Sequence, residues 1–259
     1  MRNLLTIFFS VVWLLLIGNP IRSNVGATHI SYGTQEAPQN YTASDYIQEG
    51  LICMFDGIEN TDYLSHDNYA TAWKDLIGNH SMVFAVLPSW VENALLLDGD
   101  ANHAPHFSAT DIMNAVNNNL LTVEVCACTF GGTAYGNNAL FGLGRVDYRS
   151  FWFWSNARVT ARGMQTNLPS IIEDGVIASY SVGTTGVFKD GDFVSYITFG
   201  TQKADINDFY VGRIPGFYTT VGEYTAILGR VFSIRVYNRA LSNDEIRWNS
   251  MVDSERFGL

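Results

Sequence analysis

The chain has 259 residues, of which only 15% are charged and 14% are aromatic, with 23 glycines. That mix suits many short strands joined by tight turns better than a helical protein, at a length that fits one all-β sandwich. A formal net charge of −10 provides no basic stripe to neutralise phosphates and argues against a nucleic-acid partner.

The N-terminus begins with a short positive start, Met1-Arg2-Asn3, followed by an apolar run from Leu4 to Ile17 interrupted only by Thr6 and Ser10. Gly18, Asn19 and Pro20 break the run, and Val25-Gly26-Ala27 places small residues where a signal peptidase cuts. The run is short of the roughly 20 apolar residues a membrane span needs. Residues 1–27 are therefore expected to be a secretory signal, leaving a secreted or surface protein that meets a membrane only if the segment stays uncleaved. Residues 28–46 are polar and without period, a leader or linker. The domain is expected over 47–259.

From "GLICMFDG" (50–57) onward, short apolar runs alternate with glycine- and asparagine-rich breaks. Strands are expected in "ALLLDG", "LTVEVCACTF", "NALFGLG", "SFWFWS", "GVIASYSV", "DFVSYITF", "DFYVGRI" and "RVFSIRVYN". One short helix is expected in 108–119, and Asp190-Gly191 is a favoured two-residue hairpin turn. In the last strand Phe232, Ile234 and Val236 fall at every second position, giving one dry face. Ser242-Asn-Asp-Glu245 then spells a capping box, Leu241 and Ile246 a hydrophobic staple, and Gly258 a left-handed C-terminal cap. Cys126 and Cys128 share a face, so a bond between them would be strained. Cys53 reaches them only if the fold juxtaposes their strands, and all three read as small buried hydrophobes.

The succession "GLICMFDGIEN", "ATAWKDLIGNH", "WVENALLLDGD", "LTVEVC" and "IRVYNRALSNDEIRWNSMVDSERFG" resembles concanavalin A-like lectin/glucanase domains. It is most similar to the laminin-G-like jelly rolls of exported bacterial proteins, over roughly residues 46–259. The resemblance implies an all-β, two-sheet jelly-roll sandwich that the terminal strand and helix complete, with the apolar side of that helix on the sheets.

The enzyme branch of this superfamily carries Glu-x-Asp-x-Glu on one strand, because a period of two sets acid and nucleophile on one face. Here Glu124 is followed on its own face by two cysteines, Glu173 and Asp174 are adjacent, and Asp56 and Glu59 straddle a turn. No Gly-x-Ser-x-Gly elbow, phosphate loop, dinucleotide fingerprint or zinc spacing is present. The chain is expected not to be an enzyme, with a glycoside hydrolase of unrecognised site as the minority reading. His103 and His106 bracket Ala104-Pro105, which reads as a surface loop.

Two features suggest ligands. Asp98, Asp100 and Asn102 stand at alternate positions with the oxygen atoms calcium prefers, a weak candidate set because His103 stands where a calcium loop has glycine. In "SFWFWS", Phe151 and Phe153 share one face and Trp152 and Trp154 the other, so one pair faces outward or lies beneath a loop. Two outward tryptophans would form a platform on which sugars stack; the other reading puts them in the core. The function expected is a secreted, non-catalytic, lectin-like module binding carbohydrate or a cell-surface glycan. The competing reading is a structural or adhesion module of the same fold with a protein partner.

Overall fold

The computed structural model describes residues 40–100, 102–130, 139–144, 151–213 and 225–259. The expected signal segment and the leader up to residue 39 lie outside the described residues. In chain order the elements are β1 (Leu51–Asp56), β2 (Ser89–Val91), β3 (Ala94–Asp100), β4 (His106–Ser108), α1 (Thr110–Asn117), β5 (Thr122–Thr129), β6 (Ala139–Leu143), β7 (Phe151–Trp154), β8 (Arg158–Ala161), β9 (Met164–Asn167), β10 (Ile177–Gly183), β11 (Gly186–Lys189), β12 (Asp192–Ser195), β13 (Asp208–Val211), β14 (Thr225–Tyr237) and α2 (Asn243–Phe257).

The strands form two antiparallel sheets. One runs β12-β11-β10-β5-β14-β3-β2, with β1 joining the far end of β14; the other runs β4-β13-β6-β7-β8-β9. This is an all-β, two-sheet jelly-roll sandwich closed by a short C-terminal helix. Between the sheets, Val123, Val125 and Ala127 of β5 alternate inward as a period of two requires. Across the gap an aromatic chain runs Phe55–Phe107–Phe209–Phe141–Phe153–Tyr180, from β1 through the six-stranded sheet and back to β10, with centroids 5.0–6.0 Å apart. The Asp190-Gly191 turn has φ of +51° and +81°, the left-handed pair that a tight hairpin between β11 and β12 needs.

Two expectations change at β14. The register against β5 shifts between Val231 and Ser233, so Phe232 leaves the face of Ile234 and Val236 and packs with Ala94, Cys126 and Cys128 instead. From Val231 to Tyr237 the strand also has no wet face, because Ser233, Arg235 and Tyr237 are as buried as their neighbours. The cover is α2, which lies on the side of this sheet away from the other one.

Residues 40–46, expected to belong to a polar linker, are part of the same unit, which begins at Asn40. Ala43 and Tyr46 are buried. The Ala43 amide donates to Glu59 Oε1 at 2.7 Å and the Tyr46 hydroxyl to Asp253 Oδ1 at 2.8 Å. All three cysteines are buried and free; Cys53 points into the inter-sheet core while Cys126 and Cys128 point the other way, so Cys53 cannot bridge to either.

Candidate functional site

The expected sugar platform is not open. Trp152 and Trp154 do lie on the outer side of the six-stranded sheet, apart from the main core, but they are only 1% and 3% exposed. The Trp152 indole donates to the Leu143 carbonyl at 2.7 Å, and the Trp154 indole donates to Thr160 Oγ1 at 3.0 Å under the Arg158 guanidinium. Trp152 lies flat across Gly142, where an added Cβ would meet the indole at 2.9 Å. With faces covered and N–H groups committed, neither ring presents a surface on which a sugar could stack. The alternation correctly separated the two pairs; it carried no information about what covers the outer one.

The trio Asp98, Asp100 and Asn102 is tied together by its own hydrogen bonds. Asp98 Oδ1 accepts from the Asp100 amide, and Asp100 Oδ1 accepts from the Asn102 amide and side chain. Asp98 Oδ2 is 2.7 Å from His103 Nδ1, a hydrogen bond that lifts the imidazole above its ordinary range. Both carboxylate oxygens of Asp98 and one of Asp100 thus accept from neighbouring amides and His103, while Asp100 Oδ2 stands 3.9 Å from His103 Nε2. His106 is elsewhere, stacked on Tyr210 at 4.9 Å. Glu124, the strand carboxylate weighed for hydrolysis, is sealed beneath α2 beside Arg235. Asp56 and Glu59 pair with Arg256, and Glu173 with Lys189.

A cleft the sequence reading did not assign lies in the connection between β1 and β2. Residues 57–88 contain no named strand or helix, far beyond the ~12–15 residues at which an irregular loop becomes unusual without a functional reason. The segment is tied down from within. Asn60 Nδ2 donates to the Asp67 carbonyl and its Oδ1 accepts the Asp67 amide. The Trp73 indole donates to the Asp56 carbonyl at 2.9 Å, and the Trp90 indole to the Ala70 carbonyl at 2.9 Å. These bonds hold open a cleft of about 460 Å³ whose walls include Asn60, Thr61, Thr71, Lys74, His80 and Ser81, above Trp73.

At one end of the cleft stands a carboxylate–histidine–carboxylate chain. His80 Nδ1 is 3.0 Å from Asp75 Oδ2 and its Nε2 is 3.0 Å from Asp111 Oδ1, the latter on α1. Burial lowers the imidazole's basicity, but the hydrogen bonds to Asp75 and Asp111 prevail and raise it above the ordinary value. Lys74 reaches out to Asp62 at 2.6 Å, and Tyr63, Leu64 and Tyr69 stand exposed on the same connection. The signal for this site was in "ATAWKDLIGNH", which supplies Thr71, Trp73, Lys74, Asp75 and His80. It shows no period, so only the fold gathers it around a cleft.

No protein-family model and no curated protein matches the sequence. Among solved structures the chain is similar to a Trypanosoma rangeli sialidase in complex with sialic acid, with a TM-score of 0.56, 16% identity, and coverage of 81% of this chain and 34% of that one. The same sialidase with a difluorosialic acid gives 0.54, 17%, 81% and 34%. Domain 4 of an extracellular arabinanase from Geobacillus stearothermophilus, solved with arabinotriose, gives 0.51 and 12%, covering 76% of this chain and 96% of that domain. The chain thus spans about a third of the length of the sialidases it matches. These likenesses show the β-sandwich fold. They also correct the expectation that the chain is not an enzyme: the sialidases it matches are enzymes, so a missing strand motif is no ground for excluding catalysis.

Proposed function

We propose that this domain binds carbohydrate, and that the cleft of the β1–β2 connection is the binding surface. The observation that carries the reading is the cleft's make-up: hydroxyl, amide and ammonium groups from Thr61, Asn60, Thr71, Lys74 and Ser81 line about 460 Å³ of concave surface on a pinned connection. A sugar asks for such convergent donors and acceptors. The sandwich scaffold, shared with carbohydrate-active domains, supports the reading by analogy of fold. The sequence motifs resemble those of laminin-G-like jelly rolls, which supports the reading further, and the apolar N-terminal run supports a secreted or surface setting. The alternative occupant is a protein, favoured by the exposure of Leu64 and Tyr69, at 80% and 88%, beside the cleft.

A glycan array followed by retardation on polysaccharide gels tests this. Wild type is expected to bind, and Lys74→Ala/Thr71→Ala to lose about tenfold or more in affinity, the usual scale for losing a charge-assisted hydrogen bond. Both side chains are exposed, so the melting temperature should stay put. An array with no binder would leave protein adhesion as the better reading, and full affinity in the double variant would put the sugar elsewhere. Reducing-sugar release from any glycan that binds reads whether binding leads to turnover.

A further inference from the structure

Below the cleft, Cys53 of β1 joins Asp75 and His80, with Sγ, a carboxylate oxygen and a ring nitrogen all within 4.8 Å of one another. We propose that these three side chains hold a divalent cation of zinc's borderline-soft class, with a fourth coordination position open toward the β1–β2 cleft. The site stands independently of what the cleft binds.

The first argument is a count of protons. Both nitrogens of His80 face carboxylate oxygens at 3.0 Å, whereas a neutral imidazole carries one N–H. One proton more than the neutral ring carries, or a metal ion, must therefore lie between a nitrogen and its facing oxygen. Asp111 on Nε2 is the outer carboxylate that metal-bound histidines characteristically use, and it leaves Nδ1 as the ligand atom. The 3.0 Å between Nδ1 and Asp75 Oδ2 is close to the ligand–ligand edge of about 3.3 Å set by tetrahedral bonds of about 2.0–2.1 Å. A cation replacing the Nδ1 proton would part Nδ1 and Oδ2 by a few tenths of an ångström, while Sγ, within 4.8 Å of both, would settle at about 3.6 Å from them.

The second argument is preorganisation. Asp75 does not have to be positioned by the metal: the amides of Met54 and Ile77 donate to Oδ1, and those of Asn79 and His80 to Oδ2. Burial opposes ionisation of this carboxyl, but the hydrogen bonds from His80 and these amides hold it below the usual range. Phe107 packs against the His80 ring at 5.1 Å, and Cys53 is fully buried. Burial, with Asp75 and Asp111 adding to it, pushes the Cys53 thiol well up, so the unmetallated sulfur is protonated and unreactive. Binding would release two protons to solvent, one from Sγ and one from Nδ1, and leave thiolate, imidazole and carboxylate around the ion.

Cobalt(II) is the probe, because a thiolate ligand gives it a sulfur-to-metal charge-transfer band and a tetrahedral site gives it intense visible bands. The metal-stripped full chain is expected to take up one equivalent of cobalt with both signatures, and zinc to displace it. Cys53→Ser should abolish the charge-transfer band, Cys126→Ser/Cys128→Ser should keep it, and Asp111→Asn should weaken binding about 10–100-fold, the usual effect of losing an outer-shell partner. A folded wild type without the band, or a band that survives Cys53→Ser, overturns the proposal. Should Cys53→Ser fail to fold, His80→Gln decides: loss of the band supports the site and its persistence refutes it.

Discussion

Burial pushes the Glu124 carboxyl up to about 7, against the pull of the Arg235 guanidinium, whose Nε is 3.0 Å away. The surroundings explain why the proton is held. Beneath α2, Arg235 and Arg256 face four carboxylates, Glu124, Asp253, Asp56 and Glu59, all of them buried. Two cations cannot neutralise four anions, and a proton on Glu124 relieves part of the surplus. Because the folded value lies above the ordinary 4.5, the group's contribution to stability is complete below about 4.5 and is lost as pH rises through about 7. Glu124→Gln keeps the shape and the acceptor for Arg235. It should flatten the fall in melting temperature across that window, and an unchanged slope would assign the proton elsewhere. The tryptophans give a second prediction at this scale. Trp152→Ala should cost about 3–5 kcal/mol, the scale of emptying a packed aromatic site; a variant melting like wild type would restore the open platform.

The element where sequence and structure meet most fully is α2. Its N-cap Ser242 accepts the Glu245 amide while Glu245 reaches back to the Ser242 amide, and Gly258 ends it at φ +74°. Leu241 and Ile246 share one buried cluster, as a staple requires. What differs is the docking face. An apolar side was expected to lie on the sheet, yet Asn249, Ser250 and Asp253 are buried beside Ile246 and Val252. Asn249 donates to Glu124 and accepts from the Ile47 amide. Asp253 takes both terminal nitrogens of Arg235 at 2.7–2.8 Å, with Tyr46 and Ser179 filling its remaining lone pairs. The Tyr46 ring lies under the Arg235 guanidinium at 3.9 Å. Ser242→Ala should lower stability by about 0.5–2 kcal/mol, as a lost N-cap does. Asp253→Ala should cost more, about 3–5 kcal/mol, because it strands a buried guanidinium. Chemical denaturation of the two variants side by side checks the order, and a reversed order would mean the ion pair is dispensable.

At the scale of the whole molecule, the domain starts where Tyr46 and Ala43 pack, not at residue 47. A protein shortened to residues 40–259 should melt cooperatively at the temperature of the full chain, whereas one shortened to 47–259 should lose several degrees, since Asp253 and Glu59 lose partners. Equal melting of the two by calorimetry would return residues 40–46 to the linker. Export is a proposal at the same scale: in a secreting host the mature protein should begin at Thr28, and mass spectrometry finding intact Met1 would remove it.

Local chemistry was legible in the residues themselves. The alternating runs of β3, β5 and β7, the two-residue turn at Asp190-Gly191, α1 and the caps of α2 each depend on neighbours within a few positions, and such spacing is written directly in the chain. Who lies above a face is not written there. Trp152 and Trp154 were rightly set opposite Phe151 and Phe153, but whether that face is wet depends on segments far away in sequence. The partners of Arg235 at Glu124 and Asp253, and the gathering of Cys53, Asp75 and His80 beside Asp111, likewise join segments that no period connects. Burial, charge pairing and the cleft of the β1–β2 connection are long-range properties, because a side chain's dielectric surroundings are made by whatever the fold brings against it. Spacing alone therefore specified eight of the fourteen described strands, the tight turn and the caps of α2, and tertiary contact decided which of their polar groups were brought together.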